Sequence, residues 1–258
     1  MTTDDVVVDV SQDWVLACDV QRRFMQGLGR ISDSVDYSAH CRQVRALGGD
    51  CYEFMPLAND RLALVVGDAS GKGVAAALMI ASVQSSLRTA ALFTGDDLAT
   101  LLKVVNLQAY ASSLADRYAT VFYGVFDVAT RTLRYVNAGH TPPVVLRRNG
   151  SIDMLEAGGA PVGMFPDSSY EEGSVQLDPG DLVITYTDGV IEAANESGGE
   201  WGVQGLLNAA SAWARQRTTT CWVTFGGRII HRIRPSPYPT ENGPLSHSWC
   251  SRARRRFT

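Results

Sequence analysis

The sequence predicts a layered α+β sandwich, in which antiparallel sheets are covered by helices. Three observations carry that prediction. Most apolar segments alternate with a period of two and are separated by tight turns, which joins neighbouring strands in antiparallel fashion. The two long segments of helical composition, 73–93 and 96–114, follow one another directly, and helices arriving as a pair must cover a sheet face. Strand and helix never alternate regularly, which argues against a doubly wound parallel sheet.

The elements follow in order. Residues 13–29, "DWVLACDVQRRFMQGLG", place Trp14, Leu16, Val20 and Phe24 at steps of mostly four residues, an amphipathic helix that Gly27 and Gly29 can stop. "VDYSAHCRQV" alternates as a strand, and "GGDCYEFMPLANDRLALVVGD" reads as a hairpin turning at "LANDR". Two Ala- and Leu-rich helices come next, the second capped by Asp96 or Asp97. "YATVFYGVFDVATRTLRYVNAGH" is strand, turn, strand. "PPVVLRRNGSIDML" is a hairpin with Asn149-Gly150 at its tip, and "SVQLDPGDLVITYTDGV" repeats the pattern around Pro179-Gly180. "EWGVQGLLNAASAWARQ" closes as a helix.

Composition narrows the class. At 258 residues, 45% hydrophobic and 19% charged, the chain has the makings of a real core and is not disordered. No stretch approaches the roughly 20 uninterrupted apolar residues of a membrane span, and no membrane partner is expected. The acidic start "MTTDDVVVDVSQDW" is unlike a secretory signal, which predicts a cytoplasmic location. The five cysteines (Cys18, Cys41, Cys51, Cys221 and Cys250) show no paired spacing and read as reduced thiols.

Three aspartates draw the eye. Asp68 and Asp188 each end an apolar β-run, "ALVVGD" and "VITYTD", and a buried strand fixes its terminal side chain rigidly. Asp50, in "GGDCYEF", sits at the other end of the hairpin that leads to Asp68, so antiparallel pairing can bring 50 and 68 together. Three acids on strand ends form a hard-oxygen set suited to Mg²⁺ or Mn²⁺. One such Asp before Gly is commonly a turn former; three in matching settings weaken that reading. "GDASGKG" is not a Walker loop, because the spacing is wrong and Val74 stands where a hydroxyl is required. Lys72 and the helix start behind it can attract an anion, although an exposed loop lysine explains Lys72 equally well. Cys51 lacks the Cys-x₅-Arg cradle of a cysteine phosphatase.

Taken together, "GGDCYEF", "GDASGKG", "NAGHTPP" and "YTDGVIEA" resemble the bacterial metal-dependent serine/threonine phosphatases of the 2C type, in particular the stage II sporulation phosphatase E group. The likeness covers about residues 30–207, and "VLACDVQRRFMQ" resembles the switch helix preceding their catalytic domain. It implies a four-layer αββα sandwich of two antiparallel sheets and a centre of two Mn²⁺ or Mg²⁺ ions. Asp68 would bridge both ions and the Ala69 carbonyl would add a ligand, with Asp50 on one metal and Asp188 on the other. Gly48, Gly49, Gly71 and Gly189 would let the backbone approach, while Gly139 and His140 would shape a loop. The implied reaction is hydrolysis of phosphoserine or phosphothreonine on a regulatory protein, an anti-sigma-factor antagonist. A homodimer through the N-terminal helix is the second implied partner.

The C-terminus departs from this pattern. The domain plan is therefore an N-terminal extension over 1–29, a phosphatase domain over 30–216 and an atypical basic tail over 217–258. That tail holds 8 of the 23 Lys and Arg residues but only one of the 27 acids, Glu241, and it lacks the final acidic motif of the family. It reads as an out-of-frame continuation, poorly ordered, with the closing strand and one metal ligand missing. A catalytically degenerate binding module is the alternative function. A basic arm for nucleic acid or an anionic membrane is a competing reading of the tail, although a terminal Arg run is usually just disordered, and no nucleic-acid partner is expected.

Overall fold

A computed structural model describes residues 10–25, 28–32, 35–43, 46–113, 116–156, 158–195, 197–214 and 220–226. The chain runs α1 (Val10–Phe24), β1 (Leu28–Ser32), β2 (Val35–Cys41), β3 (Asp50–Leu57), β4 (Arg61–Ala69), α2 (Val74–Ala91) and α3 (Leu98–Ser112). There follow β5 (Ala119–Asp127), β6 (Thr132–Ala138), β7 (Val144–Leu146), β8 (Ile152–Met154), β9 (Gly173–Gln176), β10 (Leu182–Tyr186), α4 (Asp188–Ile191), α5 (Gly202–Ala214) and β11 (Thr220–Gly226).

Alternation along the strands generates the layers. In β4, Leu62, Leu64 and Val66 face one side while Ala63 and Val65 face the other. The first set joins Phe122, Phe126, Leu133, Val145 and Val183 in an apolar seam between two sheets. The second joins Ile80, Leu87, Leu102 and Val105 of α2 and α3 in a core beneath the helices. On the far side Leu182, Ile184 and Tyr186 of β10 pack with Val190 and Leu206 of the C-terminal helices. Helix, sheet, sheet and helix thus stack as the expected four layers.

The five-stranded sheet has the order β3-β4-β5-β6-β9 and the six-stranded sheet β1-β2-β11-β10-β7-β8. The turn at "LANDR" is a tight one, with Asn59 and Asp60 at φ 60 and 53, a left-handed region Asn and Asp tolerate best. Asp97 caps α3 by accepting from Thr100 N at 2.9 Å, while Asp96 pairs with Arg61.

Three expectations need correction. The predicted 13–29 helix ends at Phe24, and Leu28–Ser32 is a strand paired with β2. The turn at Pro179-Gly180 closes no hairpin: β9 pairs with β6 in one sheet and β10 with β7 in the other. The reason is Asp181, buried at this crossing, which accepts from Asp178 N, Arg148 N and Arg147 Nη1 and so ties the turn to the end of β7. The closing strand is present. Residues 220–226 form β11, which pairs in parallel with both β2 and β10, so the six-stranded sheet is mixed rather than wholly antiparallel. The remainder of the predicted 217–258 tail lies outside the described residues. The expectation of no uninterrupted apolar span stands, although α2, broken by Gln84 and Arg88, is long and apolar enough on average to cross a membrane by composition, with mean hydropathy 1.2. Ala76, Ile80, Val83 and Leu87 nonetheless pack into the core under α3, as in a core helix.

Candidate functional site

The β3–β4 hairpin delivers two of the three aspartates together. Its register sets Asp50 directly opposite Asp68, the last pair before β4 runs out at Ala69. Directly opposed residues in such a ladder have Cβ atoms about 5 Å apart. Asp188 follows β10 in the facing sheet and opens α4, so it approaches from the other side of the sandwich. Asp188 is exposed and the other two are partly buried.

Their electrostatics show that the three share one neighbourhood. Burial pushes the Asp68 carboxyl from an ordinary 3.8 to about 7, and the charges of Asp50, Asp188 and Glu192 add to the rise. Asp50 is raised to about 6, again chiefly by burial, with Asp188 adding to the rise and a hydrogen bond from Thr187 opposing it. Among the described residues no Arg or Lys forms an ion pair with any of these aspartates. Nor do three His, Cys, Asp or Glu side chains converge tightly enough there to form a ready metal cage. The three carboxyls influence one another without forming a cage because charges act over several ångströms, whereas a ligand bond spans only about 2.0–2.6 Å. The donor chemistry fits a hard divalent cation: oxygen ligands, negative charge without a counter-ion, and carboxyls waiting to release protons.

The backbone closes tightly around this pair. Ala69 N donates to Gly49 O at 3.1 Å, and a Cβ on Gly49 would stand 2.6 Å from the Ala69 carbonyl and 3.1 Å from Asp68 Oδ1. Only glycine fits there. Gly48 precedes it, buried, and Gln21 of α1 grips Gly48 at both ends: its Nε2 donates to the carbonyl at 2.7 Å and its Oε1 accepts from the amide at 3.3 Å. Gly71 lies in the loop after β4 at φ 95, Gly139 in the loop after β6 at φ 70, and Gly189 inside α4.

His140 is buried, and that burial lowers its imidazole to about 4. Its Nδ1 lies 2.9 Å from Thr120 Oγ1, which also donates to the Asp68 carbonyl at 3.4 Å, and Asn137 Oδ1 accepts from its amide at 2.8 Å. A neutral ring buried in this way supports the strand behind Asp68. Lys72 is exposed.

Glu192, Thr187 and Thr120 were not singled out from the sequence. Glu192 carried a faint signal, an acid four residues after Asp188 and so one helical turn on. A groove lined by Arg147, Arg148, Gln176 and Asp178 lies at the opposite end of β10 and shares no residue with the acid cluster.

Residues 58–223 match the family described as stage II sporulation protein E (SpoIIE). The match takes in Asp68, Asp188 and the first half of β11. Protein IcfG of Synechocystis sp. is 32% identical over 197 residues, covering 65% of this chain and 31% of that protein. Phosphoserine phosphatase RsbU of Bacillus subtilis is 24% identical over 191 residues, 74% of this chain and 56% of that one. The chain therefore spans about a third to a half of these relatives' length. Among solved structures, the SiaA-PP2C domain of Pseudomonas aeruginosa superposes with a TM-score of 0.63 at 20% identity over 80% of this chain and 83% of that domain, a likeness of fold.

Proposed function

Given that the chain belongs to the stage II sporulation protein E family, we propose that it is a metal-dependent phosphatase acting on phosphoserine or phosphothreonine of a regulatory protein. The Asp50–Asp68 pair carries the reading: two partly buried carboxylates set face to face at a strand end, with raised pKa values and no cationic partner among the described residues. Folding leaves such a pair unfavourable unless a cation joins it.

Asp50, Asp68 and Asp188, with the Ala69 carbonyl, are the residues that would hold two Mn²⁺ or Mg²⁺ ions. Bound there, such ions supply an activated water and neutralise phosphate charge. The chain itself contributes positioning. Thr187 orients the Asp50 carboxylate, Gly49 lets the Ala69 carbonyl come close, and the buried Thr120–His140 pair braces the end of β4. We extend the proposal to an anti-sigma-factor antagonist as the substrate and a cytoplasmic site of action; the kinship to RsbU, a phosphoserine phosphatase, supports the phosphoserine class of substrate. The proposal extends to a homodimer through α1.

A second reading has one observation in its favour: β11, "TCWVTFG", bears no carboxylate, where the resemblance implies an acidic closing motif. The chain would then bind its partner without turning it over. Hydrolysis of an aryl phosphate with and without Mn²⁺ separates the two, using Asp68→Ala as control. Metal-dependent turnover lost in the control is expected. A folded protein that binds a phosphorylated partner but never hydrolyses it would establish the second reading instead.

A further inference from the structure

The aspartates of the site hang from two different sheets. Asp50 and Asp68 belong to the five-stranded sheet, whereas Asp188 follows β10 of the six-stranded one. The chain crosses between the sheets at this same end: β6 stops at Ala138, residues 139–143 make the passage, and β7 starts at Val144. Val144 pairs with Ile184, so the segment entering β7 runs alongside Tyr186, two residues before Asp188. His140 rides on that passage.

Both its backbone and its ring are held. Gly139 turns the chain at φ 70, with Pro161 so close that a Cβ there would stand 2.7 Å from the proline ring. The buried Asn137 side chain then accepts from the His140 amide at 2.8 Å and donates to the Leu155 carbonyl at 3.2 Å. The imidazole is buried, and its Nδ1 lies 2.9 Å from Thr120 Oγ1. Thr120 stands directly opposite Asp68 in the β4–β5 ladder, and its hydroxyl also reaches the Asp68 carbonyl at 3.4 Å. Burial keeps the ring neutral, and against it the Tyr186 backbone of the facing sheet favours the protonated form. Nε2 has no hydrogen-bond partner at ordinary distance among the described residues, so nothing else competes with Tyr186 for it.

We infer that His140 is a positioning residue, a strut across the cleft that holds the strand end bearing Asp68 and the strand end bearing Asp188 at a fixed separation. This rests on the metal-dependent phosphatase reading of the acid cluster. His140 is assigned no bond to substrate or metal; it acts through Thr120 on one sheet and the Tyr186 backbone on the other. A neutral imidazole suits the task, because one ring nitrogen accepts while the other donates, at different corners of a rigid plane. With the hydrogen on Nε2, Nδ1 accepts from the Thr120 hydroxyl. An apolar ring would fill the same space and tie neither sheet. Cations shared by carboxylates of both sheets tolerate little change in that separation, since ligand bonds span only about 2.0–2.6 Å.

The test is electron paramagnetic resonance of the full chain titrated with Mn²⁺, alongside calorimetric Mn²⁺ affinity and melting in chelator. The proteins are wild type, His140→Phe, Thr120→Val and Thr120→Ser. Two Mn²⁺ ions about 3.5–4 Å apart couple magnetically and differ in spectrum from separate ions. Wild type is expected to show the coupled pair. His140→Phe should lose the coupling and bind Mn²⁺ roughly 10- to 100-fold more weakly. Thr120→Val should follow it to a lesser degree, and Thr120→Ser, which restores the hydroxyl, should regain the coupled spectrum. If His140→Phe does not fold, Thr120→Val reads the strut from its other end. Unaltered coupling and affinity in the folded variants overturn the inference, as does a wild type without a coupled pair. A lower melting temperature with both metal readouts intact also overturns it, because His140 would then serve the core alone. A coupled pair that depends on His140 in a protein that hydrolyses no aryl phosphate upholds the strut and refutes the phosphatase reading alone.

Discussion

Asp68 and Asp50 hold their protons to about pH 7 and about pH 6, where an ordinary aspartate lets go near 3.8. The unfolded chain releases these protons at the lower value, so between pH 4 and 7 ionisation favours unfolding. In chelator, stability is expected to be greatest at the acid end of that window, to fall as pH rises through it, and to level off above about pH 7. A divalent cation selects the ionised carboxylates and should reverse the slope, with release of protons on binding. Asp68→Asn should flatten the pH dependence in chelator, melt higher than wild type at pH 8 and gain nothing from Mn²⁺. Thermal melts from pH 5 to 8 with and without Mn²⁺ read all three; a wild-type melting temperature that climbs with pH in chelator would remove this account. The three aspartates were legible because each stands at a strand end marked by an apolar run and glycines. Glu192 was not, since it joins the site from a helix end whose sequence gives no sign of where it docks.

At the scale of elements, α1 has two unlike faces. Inward, Cys18 packs with Leu47 and Ala77, Gln21 grips Gly48, and Phe24 lies 5.4 Å beneath the Arg88 guanidinium. Arg88 in turn pairs with buried Glu53 at 2.5 Å. Outward, Val15, Leu16 and Val20 are each more than half exposed. A short helix held firmly on one side and apolar on the other suits burial against a second copy, where each such side chain is worth about 1.5–3 kcal/mol when covered. Light scattering of the full chain is expected to give twice the monomer mass, and Leu16→Lys to return it to one with the melting temperature little changed. A wild type that is monomeric at tens of micromolar would dismiss the dimer. The amphipathic period of this helix was readable from sequence, but its end was not, because the strand at 28–32 earns its state by pairing with β2 rather than by its own composition. The crossing at Pro179-Gly180 was hidden for a similar reason. Turn residues announce a reversal of the chain, whereas the contacts of Asp181 with Arg147 and Arg148, invisible in the sequence, tie the next strand to the other sheet.

For the whole molecule the decisive strand is β11. The composition of the chain changes after residue 216, and the missing acidic motif suggested a lost strand; yet Thr220–Gly226 lies between β2 and β10, with seven residue pairs on one side and five on the other. "TTTCWVTFG" is rich in β-branched and aromatic residues, so the strand signal was present, masked by the basic, proline-bearing sequence beyond it. Pairing needs backbone amides and carbonyls, not a carboxylate, which is why a segment without any acid can still complete the sheet. Ending the chain after Gln216 would leave two inner strand edges open, a state prone to aggregate. That truncation is expected to give insoluble or non-cooperatively melting protein. Ending it after Gly226 removes no strand pairing among the described residues and should preserve both the melting transition and Mn²⁺-dependent turnover. If the two truncations melt alike, β11 is not integral to the sheet. If only the longer one folds but neither it nor the full chain turns over substrate, β11 supplies architecture, and the missing carboxylate is what the active site lacks.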